Sequence, residues 1–121
     1  MQTNIDGKRI IDKYIKSMKV VYKEQKEYQD MYLNDRLDDE YFNYNKSLKF
    51  TRTWETLMSM EDIPARNLML LFNACGDRYK ETMEALCGLG VTYKNQATLH
   101  VMITKTRKKI KELYASKYGN N

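Results

Sequence analysis

Proline, glycine, cysteine and histidine are all scarce in this chain of 121 residues. One proline and five glycines argue against a loop-rich or disordered protein. The two cysteines, Cys75 and Cys87, lack CxxC spacing, which predicts a reducing compartment and two thiols buried as small hydrophobes. The single histidine, His100, excludes a two-histidine metal site within one chain.

The residue patterns of common enzyme sites are also missing. No serine lies in a nucleophile elbow, and Gly88-Leu89-Gly90 lacks the strand and third glycine of a phosphate-binding loop. The acidic run Asp38-Asp39-Glu40 can hold a divalent ion, but a helix start enriched in acids explains it more simply. We therefore predict a protein that is not an enzyme and has no metal site and no cofactor.

Long apolar runs are absent as well. No stretch of 18 apolar residues exists, and the first residues lack the basic start and apolar run of a signal peptide. These features predict a cytoplasmic protein without a membrane partner. A hydrophobic content of 42% suffices for a modest core in one domain, or in a small domain with an extension.

Positive charge is concentrated at one end of the chain. Residues 94–121 contain seven lysines and arginines and one acid, Glu112, whereas residues 1–93 contain fourteen basic and fifteen acidic side chains. The formal net charge of +5 therefore resides in the last quarter of the sequence. Such a split indicates a polyanionic partner.

The first half of the chain has the apolar periodicity of two long helices. After a frayed start over residues 1–7, a run without glycine or proline predicts a helix of about 25 residues from Lys8. Its seam positions are Ile11, Tyr14, Met18, Val21, Gln25, Tyr28 and Tyr32. A polar break over residues 34–39 follows, in which Asp38 or Asp39 can cap a second helix from about Glu40 to Met60. The seam of that helix comprises Tyr41, Tyr44, Leu48, Thr51, Trp54 or Glu55, and Met58.

Two long helices joined by a short polar turn predict an antiparallel hairpin with a coiled-coil-like seam. This seam is narrow and rich in tyrosine and glutamine, so the hairpin buries little apolar area by itself. It must pack either on the C-terminal half of its own chain or on a second copy, which would make it a homodimer surface. We assign residues 1–60 to this hairpin and residues 61–121 to a basic unit.

The most apolar stretch, from Ile63 to Ala74, predicts a third helix at the centre of the core. Asp62 is a capping residue at its start, and Pro64 lies in its first turn, where the missing N–H costs nothing. Gly76 is suited to the position that ends this helix.

A short fourth helix is predicted to start at Asp77 and to run from Arg78 to about Cys87. Its apolar stripe comprises Met83, Leu86 and Cys87. Gly88-Leu89-Gly90-Val91 is the sharpest turn signal of the chain, because glycine can adopt the left-handed conformation that ends a helix. Thr92 or Asn95 can cap a fifth helix that runs to about Tyr118.

Two helices joined by a glycine turn, the second of them strongly basic, form the outline of a helix-turn-helix. The residues are Leu86-Cys87-Gly88-Leu89-Gly90-Val91, then Thr98-Leu99 and Ile103, then Arg107-Lys108-Lys109-Ile110. Over about residues 77–113 the chain resembles the C-terminal helix-turn-helix of sigma factors and of phage-type transcription regulators. The resemblance implies DNA binding through the second of the two helices.

The fifth helix has two distinct faces at about 100° per residue. The face predicted to pack on the third and fourth helices comprises Leu99, Met102, Ile103, Thr106, Ile110 and Leu113. The candidate nucleic-acid-binding residues lie on the opposite face and its flanks, and are Lys94, Ala97, Thr98, Val101, Thr104, Lys105, Arg107, Lys108, Lys109 and Lys111. Small residues near the helix start suit base edges, and the later cations suit phosphates.

These observations predict an all-α protein of about five helices that binds double-stranded DNA, as a small, dimeric transcription regulator of phage or mobile-element type. An alternative is a non-enzymatic structural or adaptor protein, such as a virion or nucleoprotein component, whose basic helix holds an acidic partner. A further alternative is that the basic run is only a solvated face, which also suits the negative C-terminal end of a helix dipole.

Overall fold

The computed structural model describes residues 7–35 and 38–119, which form five helices and no strand. The helices are α1 (Gly7–Leu33), α2 (Tyr41–Met58), α3 (Ile63–Ala74), α4 (Tyr79–Cys87) and α5 (Gln96–Tyr118). The all-α prediction is confirmed, and the boundaries differ from the predicted ones by about two residues at most. The predicted frayed start lies outside the described residues except for Gly7, which is helical, and residues 36–37 of the predicted break lie outside them as well.

α1 and α2, the two helices of the predicted hairpin, pack on each other and on the other three helices of the same chain. α1 contacts α3 and α4 as well as α2, and α2 contacts α5. Ile11 and Trp54 of the hairpin belong to the same core cluster as Leu71 of α3 and Leu99 of α5. Of the two packing partners that the sequence leaves open, the structure provides the C-terminal half of the same chain.

α3 supplies the centre of this core, because it contacts α1, α4 and α5. Leu70 and Leu71 are fully buried, and Phe72 is 1% exposed. The predicted cap is also present, since the carboxylate of Asp62 accepts a hydrogen bond from the N–H of Ala65 at 3.2 Å. α3 is therefore the fixed element against which α5 is positioned.

The end of α3 determines where α4 begins. Gly76 has a φ of +70°, and the N–H of Asp77 donates to the carbonyl oxygen of Phe72 at 2.9 Å, which is a Schellman arrangement. Asp77 itself has a φ of +61°, which is not helical, so α4 does not start at Asp77 as predicted. Arg78 takes the N-cap position, without a side-chain capping bond.

The turn after α4 uses the second of the two predicted glycines. Gly88 has an ordinary helical φ of −65°, whereas Gly90 has a φ of +79°. The N–H of Val91 then donates to the carbonyl oxygen of Leu86 at 3.0 Å, so Gly90 closes the same type of hydrogen-bonded turn as Gly76 does after α3.

The packed face of α4 differs from the predicted stripe. Its buried residues are Thr82, Ala85 and Leu86. Cys87 is exposed, because it lies on the side of the helix that carries the exposed Lys80 and Glu84. The prediction of two buried thiols is therefore wrong for Cys87. Cys75 is half-buried, and burial raises the pKa of its thiol.

A buried polar ladder runs along the seam between α1 and α2. Gln29 is 4% exposed, and its amide donates to the hydroxyl oxygens of Ser47 at 3.0 Å and Thr51 at 3.1 Å. The hydroxyl of Ser47 donates in turn to the side-chain oxygen of Gln25 at 2.6 Å. Every buried side-chain nitrogen and oxygen among the described residues has a partner. Hydrogen bonds therefore add to the limited apolar contact of this seam.

The acidic run before α2 forms hydrogen bonds at the start of the helix, but the N-cap residue is Glu40, without a side-chain capping bond, and not Asp38 or Asp39 as predicted. One carboxylate oxygen of Asp39 accepts from the N–H of Glu40 at 2.7 Å and from the side chain of Asn43 at 2.9 Å. The other accepts from the hydroxyl of Tyr28 at 2.6 Å. The hydrogen bonds from Tyr28 and Asn43 hold the pKa of Asp39 below its usual value.

Glu55 connects three helices through one carboxylate. The hydroxyl of Tyr22 on α1 and that of Tyr118 on α5 each donate to one of its oxygens at 2.5 Å. Partial burial by itself raises the pKa of Glu55, but the two hydrogen bonds and the charges of Lys26 and Lys117 together hold that pKa below its ordinary value of 4.5. The hydrogen bond to Glu55 raises the pKa of Tyr22 to about 12, and burial with the same carboxylate raises the pKa of Tyr118 to about 12.

We expect Glu55→Gln to reduce the stability of the protein at neutral pH and to have little effect in acid. A carboxylate whose folded pKa lies below its unfolded value stabilises the fold above that unfolded value, and the contribution is lost as the pH falls through the folded pKa. Urea midpoints of the variant and the parent at pH 7 and near pH 3 measure this effect. The gap between the two should shrink in acid. A gap of equal size at both pH values would contradict the prediction, and Glu112→Gln on the exposed side of α5 is the matched control.

Candidate nucleic-acid interface

α5 is fixed at its start and along one face. The side chain of Asn95 accepts from the N–H of Thr98 at 2.9 Å, which confirms Asn95 as the cap. Leu99 and Ile103 are completely buried. Thr106 is buried with them, and its hydroxyl donates to a backbone carbonyl within the helix. These residues hold the helix on the core and determine which side chains face solvent.

All ten of the predicted nucleic-acid-binding residues are exposed. They are Lys94, Ala97, Thr98, Val101, Thr104, Lys105, Arg107, Lys108, Lys109 and Lys111. Val101 is 48% exposed, which is a large fraction for a valine in a well-packed helix. The face therefore presents short side chains in its first turns and mostly cations further along.

Lys109 is bound to the body of the protein. Its ammonium lies 2.9 Å from a carboxylate oxygen of Asp62, the residue that caps α3. The hydrogen bonds from Lys109 and from the N–H of Ala65 hold the pKa of Asp62 below its usual value. Because this pair is neutral overall, Lys109 contributes less positive charge to the face than the unpaired lysines do.

Arg107 lies on the other flank of the face and packs on the core. Its guanidinium is 5.4 Å from the centroid of the Phe72 ring. A guanidinium stacked on a ring keeps the N–H groups at its edge available for an anion. Arg107 can therefore position α5 and contact phosphate at the same time.

The first turns of α5 contain polar side chains that are already engaged. The hydroxyl of Thr98 lies 3.1 Å from the side-chain oxygen of Asn95. His100 is linked to the hydroxyl of Tyr79 on α4 through its Nδ1 at 2.7 Å. Ala97 and Val101 are left as exposed apolar groups between them, and they are suited to contact with a thymine methyl group.

Two residues of the predicted core face of α5 are exposed. Met102 is 37% exposed and Leu113 is 40% exposed, so the prediction is wrong for both. Towards its C-terminal end the helix buries Tyr114, Ala115 and Tyr118 in part instead. The packed face rotates along α5 because α2 packs on this helix in addition to α3 and α4.

The contact between α2 and α5 adds cations that the charge distribution of the sequence does not reveal. A groove of about 780 Å³ lies between the two helices. Lys49 and Arg52 of α2 line it together with Arg107 and Lys111 of α5, and none of the described residues that line it is acidic. Lys46, Lys49 and Arg52 follow one another at intervals of three, which places them on one side of a helix. That spacing is the one sequence signal that points to a second basic helix.

The connection from α4 to α5 bears on the resemblance to a helix-turn-helix. α4 and α5 contact each other, and both contact α3. Residues 88–95 join the two helices, a longer connection than the three or four residues usual for that motif. The helix-turn-helix itself stays a prediction.

Comparison with known proteins leaves the chain without an assigned relative. A scan against protein-family models and searches of curated proteins and solved structures give no match. No helix within residues 7–35 and 38–119 is long and apolar enough to span a bilayer. In the same residues no group of three His, Cys, Asp or Glu side chains is arranged to hold a metal ion.

Proposed function

We propose that the protein binds double-stranded DNA through the exposed face of α5 and acts as a small transcription regulator of phage or mobile-element type. The observation that carries the proposal is the exposure of all ten predicted residues, nine on α5 and Lys94 in the connection before it, which include six basic side chains. Their only acidic neighbour within residues 94–121 is Glu112. An exposed stripe of cations on one helix is the electrostatic footprint of nucleic-acid binding.

In this mechanism α5 lies in the major groove. The groove is about 12 Å wide and admits one α-helix. Ala97, Thr98 and Val101 approach the base edges, while Lys105, Lys108 and their neighbours neutralise phosphates on either side. The core contacts of Leu99 and Ile103 keep this face rigid during binding.

A salt series with random-sequence duplex DNA tests the proposal. With about five to seven phosphate contacts, the logarithm of the affinity should fall with the logarithm of the salt concentration at a slope of about −4.5 to −6.3. Gel shifts from low to physiological salt measure that slope. The absence of retention at low salt would contradict duplex binding, and so would a slope near zero.

A structural or adaptor role is the second candidate, and one observation favours it. Leu33 at the end of α1 is 63% exposed, and Phe42 at the start of α2 is 66% exposed. Large apolar side chains at the tip of a hairpin suit contact with another protein or with a second copy of the chain. The mass of the protein in solution, measured in the buffers of the salt series, tests for contact with a second copy of the chain. In the adaptor role, loss of the α5 charges affects partner binding less than polar replacements at this tip do.

A further inference from the structure

The groove between α2 and α5 contains a concentration of positive charge that the fold does not neutralise. Four cations line it, Lys49 and Arg52 from α2 and Arg107 and Lys111 from α5. Among the described residues none of the four forms an ion pair with a carboxylate. Like charges held together in this way repel one another, so the groove is complementary to an anion.

The two arginines are held in position by aromatic rings. The guanidinium of Arg52 lies 4.9 Å from the centroid of the Tyr118 ring, and that of Arg107 lies 5.4 Å from the centroid of the Phe72 ring. A ring covers the flat side of a guanidinium and leaves its edge, where the N–H groups are, free to form paired hydrogen bonds. Phosphate and carboxylate oxygens both fit such an edge, and phosphate carries the larger charge to match four cations.

The remainder of the groove is aromatic and apolar. The ring of Tyr41 lines it from α2, and the ring of Tyr114 lines it from α5. Its volume of about 780 Å³ is within the range of small-molecule sites. A ligand that satisfies both parts carries phosphate at one end and a flat aromatic ring at the other.

We propose that the groove between α2 and α5 binds a nucleoside phosphate, with the phosphates on the four cations and the base against the tyrosine rings. This inference goes beyond duplex binding, because the groove includes α2 and leaves out Lys105 and Lys108. The same chemistry is presented by a free nucleotide and by one nucleotide of a single strand. For a single strand the groove also has to accommodate the neighbouring nucleotides, whereas a free nucleotide has none.

Titration calorimetry of the full chain in 0.15 M salt with ATP, inorganic triphosphate and a short oligothymidylate tests the proposal. ATP should bind more tightly than triphosphate, because the base adds stacking of about tenfold in affinity. Oligothymidylate that binds while ATP does not would assign the groove to single strands. Tighter binding of ATP than of oligothymidylate would assign the groove to free nucleotides. Absence of ATP and oligothymidylate binding would overturn the proposal, as would triphosphate binding equal to that of ATP.

Variants of α2 locate the binding in the groove. Lys49→Glu should weaken ATP binding by about tenfold or more, because a charge-assisted contact is lost and reversed. Tyr41→Ala, at an exposed residue, should weaken ATP more than triphosphate. Lys46→Glu is the matched control, since Lys46 is on the same helix but does not line the groove. Equal losses from Lys46→Glu and Lys49→Glu would show general electrostatic attraction and overturn the site.

The double variant Lys105→Glu with Lys108→Glu distinguishes the two proposals. It should lose duplex DNA and retain most of the ATP binding, because neither side chain lines the groove. The added acids repel ATP only through general electrostatics, which 0.15 M salt weakens. Duplex binding by a parent protein that binds neither ATP nor oligothymidylate would overturn the groove and leave the proposed function intact. ATP binding by a parent protein that does not bind duplex DNA would overturn the proposed function and leave the groove intact.

Discussion

Lys105→Glu combined with Lys108→Glu is expected to abolish retention of the protein on duplex DNA while leaving its fold intact. Both lysines are exposed, and neither forms an ion pair with a described residue. Each lysine that contacts a phosphate contributes about one to the salt slope, so the variant removes about two of the five to seven proposed contacts. Reversal of the charges adds repulsion of the DNA. Gel shifts at low and physiological salt measure the effect, and circular dichroism measures the fold.

The matched control for this variant is Lys16→Glu combined with Lys19→Glu on α1. Both of these lysines are exposed, so the net charge changes equally on a different helix. If binding depends on the face of α5, the control retains duplex DNA with a modest loss from the altered overall charge. Equal loss in both double variants would show that only the net charge matters. Unchanged retention in the α5 variant would remove the duplex-binding hypothesis.

The order of helices and the exposed face of α5 are predictable from the sequence because both follow from local periodicity. Apolar residues that recur at three and four positions define a helix and its packed side. Asp62 and Asn95 mark helix starts, because each side chain accepts a hydrogen bond from a backbone N–H three residues further along. Such local bonds can be predicted from the type and position of the residue. In α5 the buried Leu99 and Ile103 determine that Lys105 and Lys108 face outward.

The groove between α2 and α5 is not predictable in the same way, because it depends on which helices pack together. Lys49 and Arg52 are far from α5 in the sequence, and the charge of residues 1–93 is nearly balanced. The same contact partly buries Tyr114 and Tyr118, while Leu113 stays exposed, so the face of α5 at its C-terminal end could not be assigned from one helix alone. Tertiary contact, rather than helix periodicity, decides these positions.

Leu71→Ala is expected to cause the largest loss of stability among these variants. Leu71 is completely buried in α3, the helix that contacts α1, α4 and α5. Removal of a buried leucine side chain leaves a cavity and typically costs about 2–5 kcal/mol, a large part of the 5–15 kcal/mol by which a typical domain is stable. Urea denaturation should show a lower midpoint with an unchanged slope.

Leu113→Ala makes the same chemical change at the exposed edge of α5 and shows whether burial is the cause. Leu113 is 40% exposed, so truncation removes less packing, and alanine favours the helix slightly. The free energy of unfolding should fall by about 1 kcal/mol or less, as for most substitutions away from a packed core. A loss as large as that of Leu71→Ala would mean that Leu113 packs against a neighbour in solution. Leu113 would then be buried, as the sequence predicts. The C-terminal end of α5 would have to follow a different path along α2 from the one described above.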